Sequence, residues 1–168
     1  MQETYVEPIG KVISSKKKLE SELKTKIKNK GKLVFVSGKP EDEFIALKIM
    51  EAINLGFSIE RALLLKNPEI LIQTLNIKDI TKKHNLEEIR ARIIGTKGKT
   101  LKTLNNLTDC FISLKDNQIG IIGNCENIKE AIQAGTSLIR GSKQGHVYGR
   151  LERQKKKKRL IGKGIETE

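Results

Sequence analysis

The chain has 168 residues, and its 33 Lys and Arg against 20 Asp and Glu leave a formal net charge of +13, an excess that favours polyanionic partners, chiefly nucleic acid or an anionic membrane surface. No apolar run approaches the ~18–20 residues of a membrane span, and residues 1–10 carry acids where a signal peptide has an apolar core, so a soluble, intracellular, cytoplasmic protein without a membrane partner is expected. Cys110 and Cys125 form no Cys-x-x-Cys pair and have no histidine at ligand spacing, so neither metal nor cofactor is expected, and 4% aromatic residues leave little for base stacking on aromatic sheets.

In chain order, residues 4–6 read as a short strand. Pro8-Ile9-Gly10-Lys11-Val12-Ile13 then leads through Ser14-Ser15-Lys16-Lys17 to a helix with Leu19 and Leu23 one turn apart. A strand over 24–29, with Ile27 on one face, turns at Asn29-Lys30-Gly31 into Leu33-Val34-Phe35-Val36, a hairpin. Pro40 opens a helix running to about Asn54, where Glu41, Asp42 and Glu43 meet the positive end of the helix dipole. Phe44, Ile45, Leu47, Ile49 and Ile53 predict its buried face, and Gly56 is placed to end it. A further helical stretch spans 57–65, and Asn67-Pro68 breaks it.

The second half begins near Ile77, with Lys78-Asp79-Ile80 expected as a strand. Leu86, Ile89, Ile93 and Ile94 recur at helical spacing up to Gly95, and Leu101, Leu104 and Leu107 give a second helix its stripe. Cys110, Ile112 and Leu114 alternate with Phe111, Ser113 and Lys115, the period of a strand. Asp116-Asn117 turns the chain into a partner strand over 119–122. Asn124 is an N-cap candidate for a long helix burying Ile128, Ala131, Ile132, Leu138 and Ile139 and ending at Gly141. Arg150, Arg153, Lys155, Lys156, Lys157, Lys158 and Arg159 follow as a dense basic run, expected as an RNA-binding arm acting through charge. Leu151 and Leu160 could support a helix there.

The halves repeat in the order turn, helix, hairpin, helix. Ile13 to Ile94 and Leu23 to Leu104 are each 81 positions apart, whereas Gly38 to Gly123 and Gly56 to Gly141 are each 85 apart. This is internal duplication of an α+β unit. The change of offset fits a longer helix or hairpin in the second copy. At 81, Gly95-Thr96-Lys97-Gly98 faces Ser14-Ser15-Lys16-Lys17, so the first copy lacks both glycines.

Chemistry concentrates in Arg92-Ile93-Ile94-Gly95-Thr96-Lys97-Gly98-Lys99-Thr100. Glycines let backbone N–H groups approach a phosphate closely, and a helix starting just after the turn adds its positive end. Lys97 and Lys99 add full charges, with Arg92 and Lys102 as flanking contacts. Bases are expected in a groove between the two helices and the Ile112-side strand, floored by Ile93 and Ile94. Gly98-Lys99-Thr100 also ends like a phosphate-binding P-loop, but that motif needs glycine five positions before Gly98. Ile93 stands there.

A helix–Gly-x-x-Gly–helix followed by a hairpin and a long helix resembles the KH RNA-binding domain, whose loop grips about four nucleotides of single strand. More narrowly, the chain resembles archaeal two-KH proteins related to the Pno/Krr ribosome-assembly factors. The residues that carry this are Ile93-Ile94-Gly95-Thr96-Lys97-Gly98-Lys99-Thr100, Asn106-Leu107-Thr108, Ile121-Ile122-Gly123, Ile139-Arg140-Gly141, His146-Val147-Tyr148-Gly149-Arg150 and the 54–65 linker. Of the two loop positions, only Lys97 keeps the family's basic residue; Thr96 stands at the other. The resemblance implies two tandem KH-like domains (β-α-α-β-β-α), a degenerate one over 1–76 and a Gly-x-x-Gly one over 77–150, with a basic tail over 151–168. It further implies a non-enzymatic factor that binds single-stranded RNA at the 3′ region of small-subunit rRNA during maturation, beside a PIN-type endonuclease and the alpha subunit of translation initiation factor two. A protein-interaction scaffold in translation, with incidental RNA binding, is the alternative.

Overall fold

The computed structural model describes residues 1–164, and the chain divides into two compact units, Met1–Ile72 and from Gln73 onward. In the first unit the elements are β1 (Gln2–Tyr5), α1 (Ile9–Ser14), α2 (Lys16–Leu23), β2 (Lys26–Lys30), β3 (Leu33–Ser37), α3 (Pro40–Asn54) and α4 (Ile59–Ala62), the last continuing as a 3-10 turn over Leu63–Lys66. The strands form an antiparallel sheet in the order β1-β3-β2, with Gln2 and Ile27 both opposite Val36. Ile27, Val34 and Val36 point into the core with Leu19, Leu23, Ile49 and Ile53, as period-two alternation dictates.

The buried stripe of α3 keeps Ile49 and Ile53 of the expected face but is completed by Ala46 and Met50, not by Phe44, Ile45 and Leu47. Ala46, Ile49, Met50 and Ile53 are fully buried, the i, i+3, i+4, i+7 set of one helix face. Phe44 lies two residues before Ala46, about 200° around the helix. It is 59% exposed, with the Lys48 ammonium 4.4 Å from its ring centre.

The second unit is built from β4 (Ile70–Asn76, which begins just before the division), α5 (Ile77–Ile80), α6 (Leu86–Ile94), a 3-10 turn (Thr96–Gly98), α7 (Lys99–Thr108), β5 (Phe111–Lys115), β6 (Gln118–Asn124), α8 (Cys125–Ile139) and α9 (Gln144–Gly162). Its strand order is β4-β6-β5, with Ile112 opposite Ile121 in the antiparallel β5–β6 pair. The strand expected at 78–80 is instead the one-turn helix α5. Asn76 caps it by accepting from the Lys78 N–H at 3.0 Å, and the β-branched, apolar run before it forms β4. Asn124 caps α8 through a 2.8 Å bond from the Asn127 N–H.

The basic run is not a separate arm. Helix α9 passes unbroken through the expected boundary at 150/151, and Val147 and Leu151 are buried beneath it. These two are one turn apart, enough to fasten the helix by its apolar face. The remainder of the expected tail, 165–168, lies outside the described residues.

Both units contain strand, helix, helix, strand, strand and helix in that order, with α5 inserted in the second and α4 and α9 following the shared elements, and several of their residues recur at a common spacing. Gly56 and Gly141 take φ of 95° and 102° just after α3 and α8, the left-handed exit that glycine permits. A Cβ on Gly38 would meet Thr25 Cγ2 at 3.0 Å, and one on Gly123 would meet Cys110 Sγ at 2.5 Å; Thr25 and Cys110 are themselves 85 apart. The left-handed caps Lys24 and Asp109 and the buried Leu19 and Leu104 share that offset. Leu19, not Leu23, is therefore the counterpart of Leu104. A four-residue slip is about one helical turn and keeps the same face, so periodicity alone could not tell them apart.

The extra residues of the second unit consequently lie at the junction of its two helices and not in the hairpin; α7 has ten residues where α2 has eight. Only Ser15 separates α1 from α2, whereas Gly95-Thr96-Lys97-Gly98 separate α6 from α7. The first unit has a single residue where the second has the four of the glycine loop.

Candidate nucleic-acid interface

Asn85 starts α6 by accepting from the Glu88 N–H at 3.2 Å, and Ile89 and Ile93 anchor the helix in the core. It ends at Gly95, whose φ of 75° and ψ of 172° fall in a region open in practice only to glycine. A Cβ there would overlap Thr100 Oγ1 and lie 2.7 Å from Thr100 N. Thr100 is buried, so the start of α7 packs into the space that the missing side chain leaves. Lys97 (φ 54°, ψ 30°) and Gly98 (φ 74°, ψ 14°) follow as consecutive left-handed residues. At Lys97 this conformation costs roughly 1–2 kcal/mol. Nothing lies within 4 Å of a Cβ on Gly98, and the loop is open to solvent on that side.

Thr96, Lys97, Lys99 and Lys102 are exposed, and among the described residues the three lysines have no ion-pair partner. With α7 beginning at Lys99, the positive end of its dipole lies at the loop. Arg92 is half-buried and donates to the Ser142 carbonyl. Ile93 is core, 1% exposed, and Ile94 is 38% exposed. Only Ile94 of this pair can meet a ligand. Ile112 is buried and donates its backbone N–H to Asn105 Oδ1, so it does not line a groove.

A brace that the spacing did not reveal comes from α9. Gln144 Nε2 donates to the Arg92 carbonyl at 3.1 Å and to Thr100 Oγ1 at 3.3 Å. One carboxamide thereby ties the last turn of α6 to the first turn of α7, across the glycine loop. No local pattern marks Gln144, because its partners are 44 and 52 residues away.

The basic run divides by direction. Lys155 binds Asp109 and the Asn106 carbonyl, and Lys158 binds Glu130 and Asn127. Arg150 reaches Ser137 on α8. These three face the unit, while Arg153, Lys156, Lys157 and Arg159 are exposed without ion pairs among the described residues. Cys110 is buried beneath Gly123, and burial pushes its thiol up to about 11. Among the described residues no group of His, Cys, Asp and Glu could hold a metal ion, and no helix is long and apolar enough to cross a membrane.

Residues 71–156 match the second-domain pattern of PNO1, a eukaryotic-type KH domain (KH-domain type I). The chain belongs to the PNO1-type KH family. It is 31% identical over 156 residues to a KH domain-containing protein of Methanocaldococcus jannaschii, covering 89% of this chain and 69% of that one. It is 38% identical over 105 residues to the pre-rRNA-processing protein PNO1 of Eremothecium gossypii, of which it spans 39%. A crystal structure of an a/eIF2alpha–aDim2p–rRNA complex from Pyrococcus horikoshii contains a chain with a TM-score of 0.81 and 35% identity, matched over 92% of this chain and 94% of that one.

Proposed function

We propose that this chain is a cytoplasmic, non-enzymatic factor that binds single-stranded RNA at the 3′ region of small-subunit rRNA and acts in maturation of the small subunit. The observation that carries the reading is the glycine loop. In a KH-type domain, a turn held open by Gly95 and Gly98 presents three lysines, unpaired among the described residues, at the positive end of α7. Phosphates on the loop supply affinity, and base edges beside Ile94 supply selectivity. Arg153, Lys156, Lys157 and Arg159 on α9 add backbone charge. Pre-rRNA processing by the PNO1 relatives and the rRNA in the Pyrococcus complex point to this substrate. The same complex points to the alpha subunit of initiation factor two as a protein partner, and a PIN-type rRNA endonuclease is the second partner proposed. The first unit, with the same element and strand order but no loop, reads as a degenerate KH-like domain.

The test is fluorescence anisotropy with single-stranded RNA from the 3′ end of small-subunit rRNA, comparing wild type with Gly98→Asp at two salt concentrations. Gly98 has open space around it, and Asp tolerates the left-handed region, so the variant keeps the fold while placing a carboxylate where phosphates would lie. The expected loss is tenfold or more, about 1.4 kcal/mol. Unchanged affinity would instead support the protein-interaction scaffold.

A further inference from the structure

The segment around Gly95 has two different flanks. Arg92 and Ile94 are about 200° apart around α6, with buried Ile93 between them. The Ile94 flank carries an exposed apolar side chain. The opposite flank is a groove of about 510 Å³, within the ~300–1,000 Å³ typical of small-ligand sites. It lies between α6, the glycine loop and α7, and α9 contributes Gln144 and Tyr148 to its lining.

We propose that this groove is a subsite for one further nucleotide of the bound strand, with its base stacked on Tyr148 and its phosphate held by Lys99. The proposal rests on the RNA-binding reading of the loop. Gly95, Thr96 and Lys99 line the groove and also form the loop, so a strand on the loop enters the groove without a break. Its cations, Arg92 and Lys99, outnumber its one acid, Glu88, which suits a polyanion. Ala91 and Gly95 are its smallest lining residues and leave room for a flat ring.

Tyr148 is half-buried, and its hydroxyl has no hydrogen-bond partner among the described residues. The ring therefore contributes an aromatic surface without being held by a polar anchor, and stacking on such a surface accepts any base. Gln144 commits its Nε2 to the brace. Its Oε1 makes no bond among the described residues and can accept from an exocyclic amine of the base. In a chain otherwise poor in aromatics, this gives Tyr148 a specific use and brings the His146-Val147-Tyr148-Gly149-Arg150 segment into the binding surface.

The chain has two tyrosines and no tryptophan, so in a Tyr5→Phe background Tyr148 is the only tyrosine emitter. This background is titrated with the tightest-binding tetranucleotide from the rRNA 3′ region, and then with the same RNA extended by one nucleotide at either end. Extension at one end is expected to strengthen binding and quench Tyr148 emission. Tyr148→Leu, which keeps apolar bulk but lacks a ring, loses about 5- to 150-fold for the extended RNA. The same variant should hold its tetranucleotide affinity, and Tyr148→Phe should retain both. Thermal melting checks that each variant is folded. Equal loss on both RNAs, no loss on either, or unquenched emission overturns the subsite alone. If wild type binds neither RNA, the loop reading falls and the subsite falls with it.

Discussion

Gly95 and Gly98 sit three residues apart with nearly equal φ, yet substitution by alanine should affect them very differently. At Gly95 the alanine must occupy a backbone region costing about 1–3 kcal/mol. Its Cβ also collides with Thr100, which is buried and bonded to Gln144. Moving Thr100 adds about 1–3 kcal/mol of overpacking and about 1 kcal/mol for the lost hydrogen bond. Together, Gly95→Ala should destabilise the second unit by roughly 3–7 kcal/mol. Gly98→Ala meets nothing within 4 Å and bears only the left-handed cost of about 1–2 kcal/mol, partly offset by about 0.4–1 kcal/mol from a stiffer unfolded chain. Urea denaturation followed by far-UV circular dichroism measures both. Thr100→Ala should not rescue Gly95→Ala, because Thr100 N remains 2.7 Å from the added carbon. Equal losses at the two glycines would refute the packing account.

Four further outcomes concern α9 and the two cysteines. Lys156→Ala and Lys157→Ala should leave stability within about 0.5 kcal/mol while each lowers the salt slope of RNA binding by about 1; equilibrium titrations across salt check this. Leu151→Ala should cost about 2–5 kcal/mol and weaken RNA binding as well, because loosening α9 withdraws the Gln144 brace; melting and anisotropy read the two effects. Cys125 is exposed and should react rapidly with a thiol reagent at pH 8, whereas Cys110, buried with its thiol raised to about 11, should react only on unfolding. The raised thiol also makes stability fall as pH climbs from about 9 to about 11, since the unfolded state loses that proton first; a Cys110→Ala variant should lack this slope in alkaline urea melts.

Much of the second unit was legible because its signals are local. The Asn124 cap, the Asp116-Asn117 turn and the two glycines each act within a few residues. The N-terminal strand of the second unit was missed for a local reason too: Asn76 caps a single helical turn directly after it, which moved the expected strand from 70–76 to 78–80. What stayed hidden depends on distant partners. The basic run reads as a free arm because, among the described residues of α9, only Val147 and Leu151 are buried, and Lys155 and Lys158 spend their charge on residues 46 and 28 positions away. The missing loop of the first unit was legible only as absent glycines. That the junction itself is shorter emerges once Leu19 and Leu104 are seen at equivalent depths in their two cores.

The most direct test of the central claim is an NMR titration of the isotopically labelled chain with single-stranded RNA from the 3′ end of small-subunit rRNA. The largest amide shifts are expected at Gly95, Thr96, Lys97, Gly98 and Lys99, with the exposed lysines of α9 next. Shifts concentrated in residues 1–72, with the glycine loop unmoved, would contradict it.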